Sequence, residues 1–103
     1  MREVSRAVLL PPTKMKHLDI KIFGQVQGVG LRASAKSLAD KLNITGFIRN
    51  EPDGTVFIEI EGKKENLEKF LNWCKGGTIF ARVDKVESEY TSRLKNFSNF
   101  ETY

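Results

Sequence analysis

Between Leu18 and Leu42 the spacing of apolar residues changes from two to three and four, and the change falls on a stretch with glycines at 24, 28 and 30. Leu18, Ile20 and Ile22 alternate with Asp19, Lys21 and Phe23, the period of a strand buried on one face. Leu31, Ala35, Leu38, Ala39 and Leu42 recur along one helix face, which predicts an amphipathic helix over 31–42 with Asn43 as its stop. A strand, a glycine-rich loop and a helix in direct succession commit the chain to a fold that mixes both elements.

The remaining segments complete the pattern. A second strand is expected from Ile44 to Asn50, and Glu51-Pro52-Asp53-Gly54 has the composition of a hairpin turn. The third strand, Thr55 to Glu61, alternates again and is expected to end at Gly62. Leu67, Phe70, Leu71 and Cys74 share the apolar face of a second helix over about 64–75, closed by Gly76-Gly77. A fourth strand covers about 81–90, where the apolar phase slips between Val83 and Val86 and predicts a bulge; residues 99–103 can add a short fifth. The order β-α-β-β-α-β predicts an α+β fold, the ferredoxin-like two-layer sandwich, with a mostly antiparallel sheet and both helices on one face.

At 103 residues the chain has room for one domain. Residues 1–16 read as a flexible extension: Pro11-Pro12 breaks any helix, and the apolar run Ala7–Leu10 is too short for a signal peptide. The folded domain is expected over 17–103. No stretch approaches the length of a membrane span. The lone cysteine, Cys74, and lone histidine, His17, leave no disulfide, no zinc site of the usual ligand count and no Ser–His–Asp chemistry. A cytoplasmic location follows from the missing signal and the single thiol. The formal charge of +4 invites nucleic acid, but much of the excess sits in the first 16 residues, where Arg2, Arg6, Lys14 and Lys16 stand against Glu3. The expectation is therefore no nucleic acid and no membrane partner.

The loop carries the chemistry. Unsatisfied N–H groups and the positive end of the helix dipole meet where it joins the helix, and glycines at 28 and 30 let backbone approach a ligand closely. The spacing matches neither a dinucleotide fingerprint nor a Walker loop, so from the loop alone a structural turn and an anion site are both open. Arg32 tips the balance toward an anion. A cation in the first helical turn opposes the dipole by roughly 0.3–1 kcal/mol, and a bound phosphate reverses that sign because a guanidinium matches two of its oxygens.

Gly24-Gln25-Val26-Gln27-Gly28-Val29-Gly30-Leu31-Arg32, followed by a second pattern from Gly46 to Gly62 with Asn50 at its asparagine, closely resembles the acylphosphatase family over about residues 17–103. The resemblance implies hydrolysis of acyl phosphates, without metal or cofactor, by a monomer whose partner is a small acyl phosphate. It implies that Arg32 is the catalytic phosphate-binding arginine and that the amides of Gln27, Gly28, Val29, Gly30, Leu31 and Arg32 cradle the phosphate. Asn50 would orient the attacking water, and phosphate or sulfate would compete for the cradle. Leu31 stands where the family usually has an aromatic residue, and Ala33-Ser34-Ala35 are smaller than is common there.

The other candidates have plainer explanations. Cys74 and Trp73 read as packing residues, His17 as an exposed strand start, Glu59 and Glu61 as a solvated face, and Lys63-Lys64 as surface. The rival function is a non-catalytic ferredoxin-like binding module, either for RNA, through Phe23 and Phe57 on the face away from the aliphatic stripe, or in a regulatory or maturation role.

Overall fold

The first strand reaches further back than its apolar residues indicate. In the computed structural model, which describes residues 14–76, 78 and 80–103, β1 spans Met15–Gln25, and Met15 and Lys16 pair with Lys63 and Gly62. Residues 15 and 16 therefore belong to the sheet rather than to the extension; residues 1–13 lie outside the described residues. The same pairing carries β3 (Val56–Lys63) through Gly62 instead of ending there, because a continuous partner on β1 satisfies its backbone.

Helix α1 (Leu31–Lys41) closes with Leu42 as its cap, and Asn43 follows at φ 55°, the left-handed conformation that ends many helices. Strand β2 (Thr45–Asn50) leads through the turn into β3. Helix α2 (Lys64–Gly76) runs to the first of the two glycines; Gly77 lies outside the described residues. Strand β4 is Arg82–Thr91 and β5 is Phe100–Thr102. The expected bulge is present. Phe23 pairs with Lys85 and Gly24 with Val83, which leaves Asp84 as the extra residue on β4.

The strands lie in the order β4-β1-β3-β2-β5, antiparallel except for β2 and β5. This is the ferredoxin-like α+β sandwich. Leu18, Ile20 and Ile22 of β1 and Ile58 and Ile60 of β3 pack with Ala35 and Ala39 of α1 and Leu67, Phe70 and Cys74 of α2 in one core. Phe70 is fully buried, its ring centroid 6.2 Å from Phe100 and 5.6 Å from Trp73, so α2 anchors the short β5 through aromatic contact. Burial pushes the Cys74 thiol up, as suits a packing residue.

On the opposite face the structure departs from strand periodicity in one place. His17 is 1% exposed, Glu59 8% and Glu61 3%, so none of them belongs to a solvated surface. The segment after β4 folds over them. The main-chain N–H groups of Lys95 and Asn96 donate to the Glu61 carboxylate, and the Phe97 ring stacks on His17 with centroids 6.1 Å apart. Strand periodicity assigns a residue to a face, but it does not say whether another segment covers that face. At the other end of this face Lys21 and Lys85 lie over Phe23, and Arg49 lies over Phe47 and Phe57. These rings are already engaged by cations, so they do not form the bare stacking platform that the RNA reading needs.

Candidate active site

Three parallel strand ends bring the site together. Strands β1 and β2 both run antiparallel to β3, so they share a direction, and β5 runs parallel to β2. Val56 pairs with Ile22 on one side and with Asn50 on the other, so Asn50 lies across one strand from the chain that becomes the glycine loop. Thr102 ends β5 at the same edge. A cleft of about 340 Å³ opens there, lined by Val26, Gly28, Gly30, Leu31, Arg32, Ala33, Asn50 and Thr102.

Gly28 (φ 73°) and Gly30 (φ 78°) both take left-handed angles, and a Cβ at either would meet nothing within 4 Å. These glycines are needed for backbone conformation rather than for space inside the protein, and they leave the loop surface bare toward the cleft. Gly30 caps α1, with no side chain bonded to the helix end and no acidic residue in the first turn. The first helical hydrogen bond is Ser34 N–H to Gly30 O, so the amides of Leu31, Arg32 and Ala33 have no helical acceptor. A helix start that lacks both a side-chain cap and a carboxylate keeps its positive end available for an external anion.

Arg32 is exposed at the cleft, and one of its nitrogens, Nη1, donates to the main-chain oxygen of Tyr103 at 2.5 Å. That contact restrains the guanidinium and leaves its other N–H groups for a ligand. Asn50 is half-buried, and its Oδ1, fully enclosed, finds no hydrogen-bond donor among the described residues. A buried amide oxygen without a donor is costly, and it belongs to a residue that lines the cleft.

The expected cradle is only partly on the cleft wall. Gly28, Gly30, Leu31 and Arg32 line it; the side chain of Gln27 turns to the β2–β3 turn, and the Val29 carbonyl accepts from Thr78 Oγ1 at 3.1 Å. Leu31 is buried in the core, so its contribution to the wall is mainly backbone. Thr102, Val26 and Ala33 complete the wall and were not expected as site residues. The only sequence signal near Thr102 is the short terminal strand, and only the parallel pairing with β2 brings it to the cleft.

A second cluster of polar side chains sits near the start of β1. Ligand atoms of His17, Asp19 and Glu59 lie within 4.8 Å of one another. Both ring nitrogens of His17 are engaged, Nδ1 with Glu61 at 2.7 Å and Nε2 with Asp19 at 2.9 Å, and Lys95 Nζ lies 2.8 Å from Glu59 Oε1. Both ring nitrogens face carboxylates and Lys95 adds an ammonium group to the same cluster, which suits a protonated imidazole more than an open metal site. The cluster is an ion-pair network. It lies seven residues back along β1 from Gly24, roughly 23 Å from the cleft end of the strand.

An uncapped helix start, a glycine loop and an arginine at one end of the sheet of a ferredoxin-like sandwich define the class: an α+β protein whose cleft suits an anion. Comparison with known proteins narrows the class. Residues 18–102 match the acylphosphatase family model. The acylphosphatase of Oceanobacillus iheyensis is 41% identical over 88 residues, covering 84% of this chain and 97% of that protein. That of Thermococcus kodakarensis is 45% identical over 77 residues, covering 75% and 85%. The crystal structure of the Bacillus subtilis acylphosphatase superposes with a TM-score of 0.83 at 30% identity, covering 87% of this chain and 99% of that one. The chain belongs to the acylphosphatase family, and it is an enzyme that hydrolyses acyl phosphates to a carboxylate and inorganic phosphate.

Proposed function

We propose that Arg32 and the backbone amides around Gly28–Arg32 bind the phosphoryl group of a small acyl phosphate, and that Asn50 holds the attacking water. The observation that carries this reading is the meeting of the uncapped α1 start, Arg32 and Asn50 on one cleft wall. Phosphoryl transfer asks the protein mainly for positioning and charge stabilisation. In this reading the guanidinium and amides stabilise the charge that spreads over the equatorial oxygens, and the Asn50 side-chain amide hydrogen-bonds the water and orients its lone pair toward phosphorus. The leaving group is a carboxylate whose acid has a pKa of about 4, so it departs as a stable anion without a general acid. An amide is a poor base, so the water proton passes to a phosphate oxygen of the substrate. The positive charge supplied by Arg32 and the helix start makes a metal unnecessary in this scheme, and the working unit is a monomer. The buried, lone Cys74 accords with a reducing compartment, and we place the enzyme in the cytoplasm.

The test is hydrolysis of an aryl acyl phosphate by wild type, Arg32→Ala and Asn50→Ala, with and without a chelator. Each substitution is expected to lower kcat/KM by about 100-fold or more, in the range of losing a charge-stabilising donor. The chelator is expected to change nothing, and inorganic phosphate to inhibit wild type competitively. Equal turnover by wild type and Arg32→Ala overturns the assignment.

A further inference from the structure

The half-buried Gln27 side chain lies in the phosphate loop yet does not line the cleft. Its Nε2 donates both hydrogens across the loop–turn gap, to Glu51 O at 2.8 Å and to Thr55 O at 3.0 Å. Those carbonyls stand on the two sides of the β2–β3 turn, one residue beyond Asn50 and one before its partner Val56. Among the described residues no other side chain hydrogen-bonds between the loop of residues 26–30 and this turn. The turn's remaining side-chain bonds are local or exposed: Asp53 accepts from Thr55 N and Oγ1, Arg49 pairs with Glu51, and Lys21 reaches Asp53 at 3.6 Å.

We propose that Gln27 is a positioning residue for the reaction: its side-chain amide sets the distance between the phosphate cradle and the water held by Asn50. This role rests on the reading of Asn50 as the water holder. Gln27 follows Val26 and precedes Gly28, both on the cleft wall, so any shift of the turn relative to Gln27 is a shift of Asn50 relative to bound phosphate. In-line attack needs the reacting atoms about 3–3.5 Å apart, and a misplacement of about 1 Å costs on the order of 100-fold in rate. A primary amide suits the task because it presents two N–H donors in one plane, which one side chain can divide between two carbonyls. Both carbonyls also accept from the turn itself, Glu51 O from Gly54 N and Thr55 O from Glu51 N. Loss of the Gln27 donors therefore leaves neither acceptor unsatisfied, and the hairpin persists without its cross-link.

The experiment compares Gln27→Met, similar in length and without donors, with Asn50→Ala and the double variant, reading kcat, KM and inorganic phosphate affinity. Gln27→Met is expected to lower kcat by about 10- to 100-fold while KM and phosphate affinity stay within about threefold of wild type. In the Asn50→Ala background, adding Gln27→Met is expected to cost nothing further, because the residue it positions is gone. Wild-type kcat in Gln27→Met overturns the proposal, as does loss of phosphate affinity, which would make the residue a support of the cradle. Independent, multiplying losses in the double variant overturn it too while leaving Asn50 in its role. Wild-type turnover by Asn50→Ala alone overturns the reading of Asn50 and this role with it.

Discussion

Arg32 stands in the first turn of α1, a position that helix electrostatics disfavours, and that turn holds no acidic residue. Among the described residues its guanidinium hydrogen-bonds to the Tyr103 main-chain oxygen, which restrains its direction. Asn50 holds a buried oxygen that has no donor among the described residues. Gly46 shows the opposite kind of constraint. It opens the second family pattern for a reason that the sequence does not display: at φ 140°, a Cβ there would stand 1.9 Å from the Glu59 carbonyl oxygen. The obstacle is backbone of the neighbouring strand and cannot swing aside. Gly46→Ala is expected to destabilise the fold by about 2 kcal/mol or more, read as a lower denaturant midpoint. Wild-type stability in that variant would mean that β2 and β3 separate at little cost.

Among the elements, the segment joining β4 to β5 matters most beyond the cleft. It is pinned over the sheet by Glu61 and His17, and β5, which follows it, carries Thr102 into the cleft and Tyr103 to Arg32. Burial opposes the charged form of His17 most strongly, but the hydrogen bonds to Glu61 and Asp19 and their negative charges outweigh it, so the pKa is raised. For Glu61 burial again opposes the charge, and bonds from Lys95 N–H, His17 and the Asn96 and Phe97 amides overcome it, so the pKa is lowered. Glu59 and Lys95 face the same ring, and Glu89 pairs with Asp19 from β4. A raised histidine pKa contributes stability that is full below the unfolded value of about 6.5 and lost as pH rises through the folded value. A lowered carboxylate pKa contributes stability that is full above about 4.5 and lost as pH falls through the folded value. The network is thus strongest between about pH 4.5 and 6.5. Denaturant titrations are expected to show stability falling above that window, with a slope of at most about 1.4 kcal/mol per pH unit, and His17→Gln is expected to remove the fall. An unchanged slope in His17→Gln would place the titrating group elsewhere.

Across the whole molecule, ligand binding and folding are linked through the cleft, because its walls come from the loop after β1 and from α1, β2 and β5, which meet only when the sheet is complete. Inorganic phosphate is expected to stabilise the wild type by about 2.7 kcal/mol at 100 times its dissociation constant, and Arg32→Ala to show no such gain at the same concentration. A phosphate-independent melting temperature in wild type would count against the cradle. Much of this design was legible in the chain. Alternation in β1, the helical spacings and the phase slip at Val83 and Val86 specified the elements and even the bulge at Asp84, because side-chain burial is periodic in each element. The glycines and Arg32 raise the expectation of an anion site, because both are locally unfavourable unless something uses them. Three features were not legible: the roof over His17, Glu59 and Glu61, the reach of Gln27 across the loop–turn gap, and the arrival of Thr102 at the cleft. Each depends on which distant segment lands beside which. The local pattern determines what a residue can bury or donate, and only strand order and register decide what stands opposite to receive it.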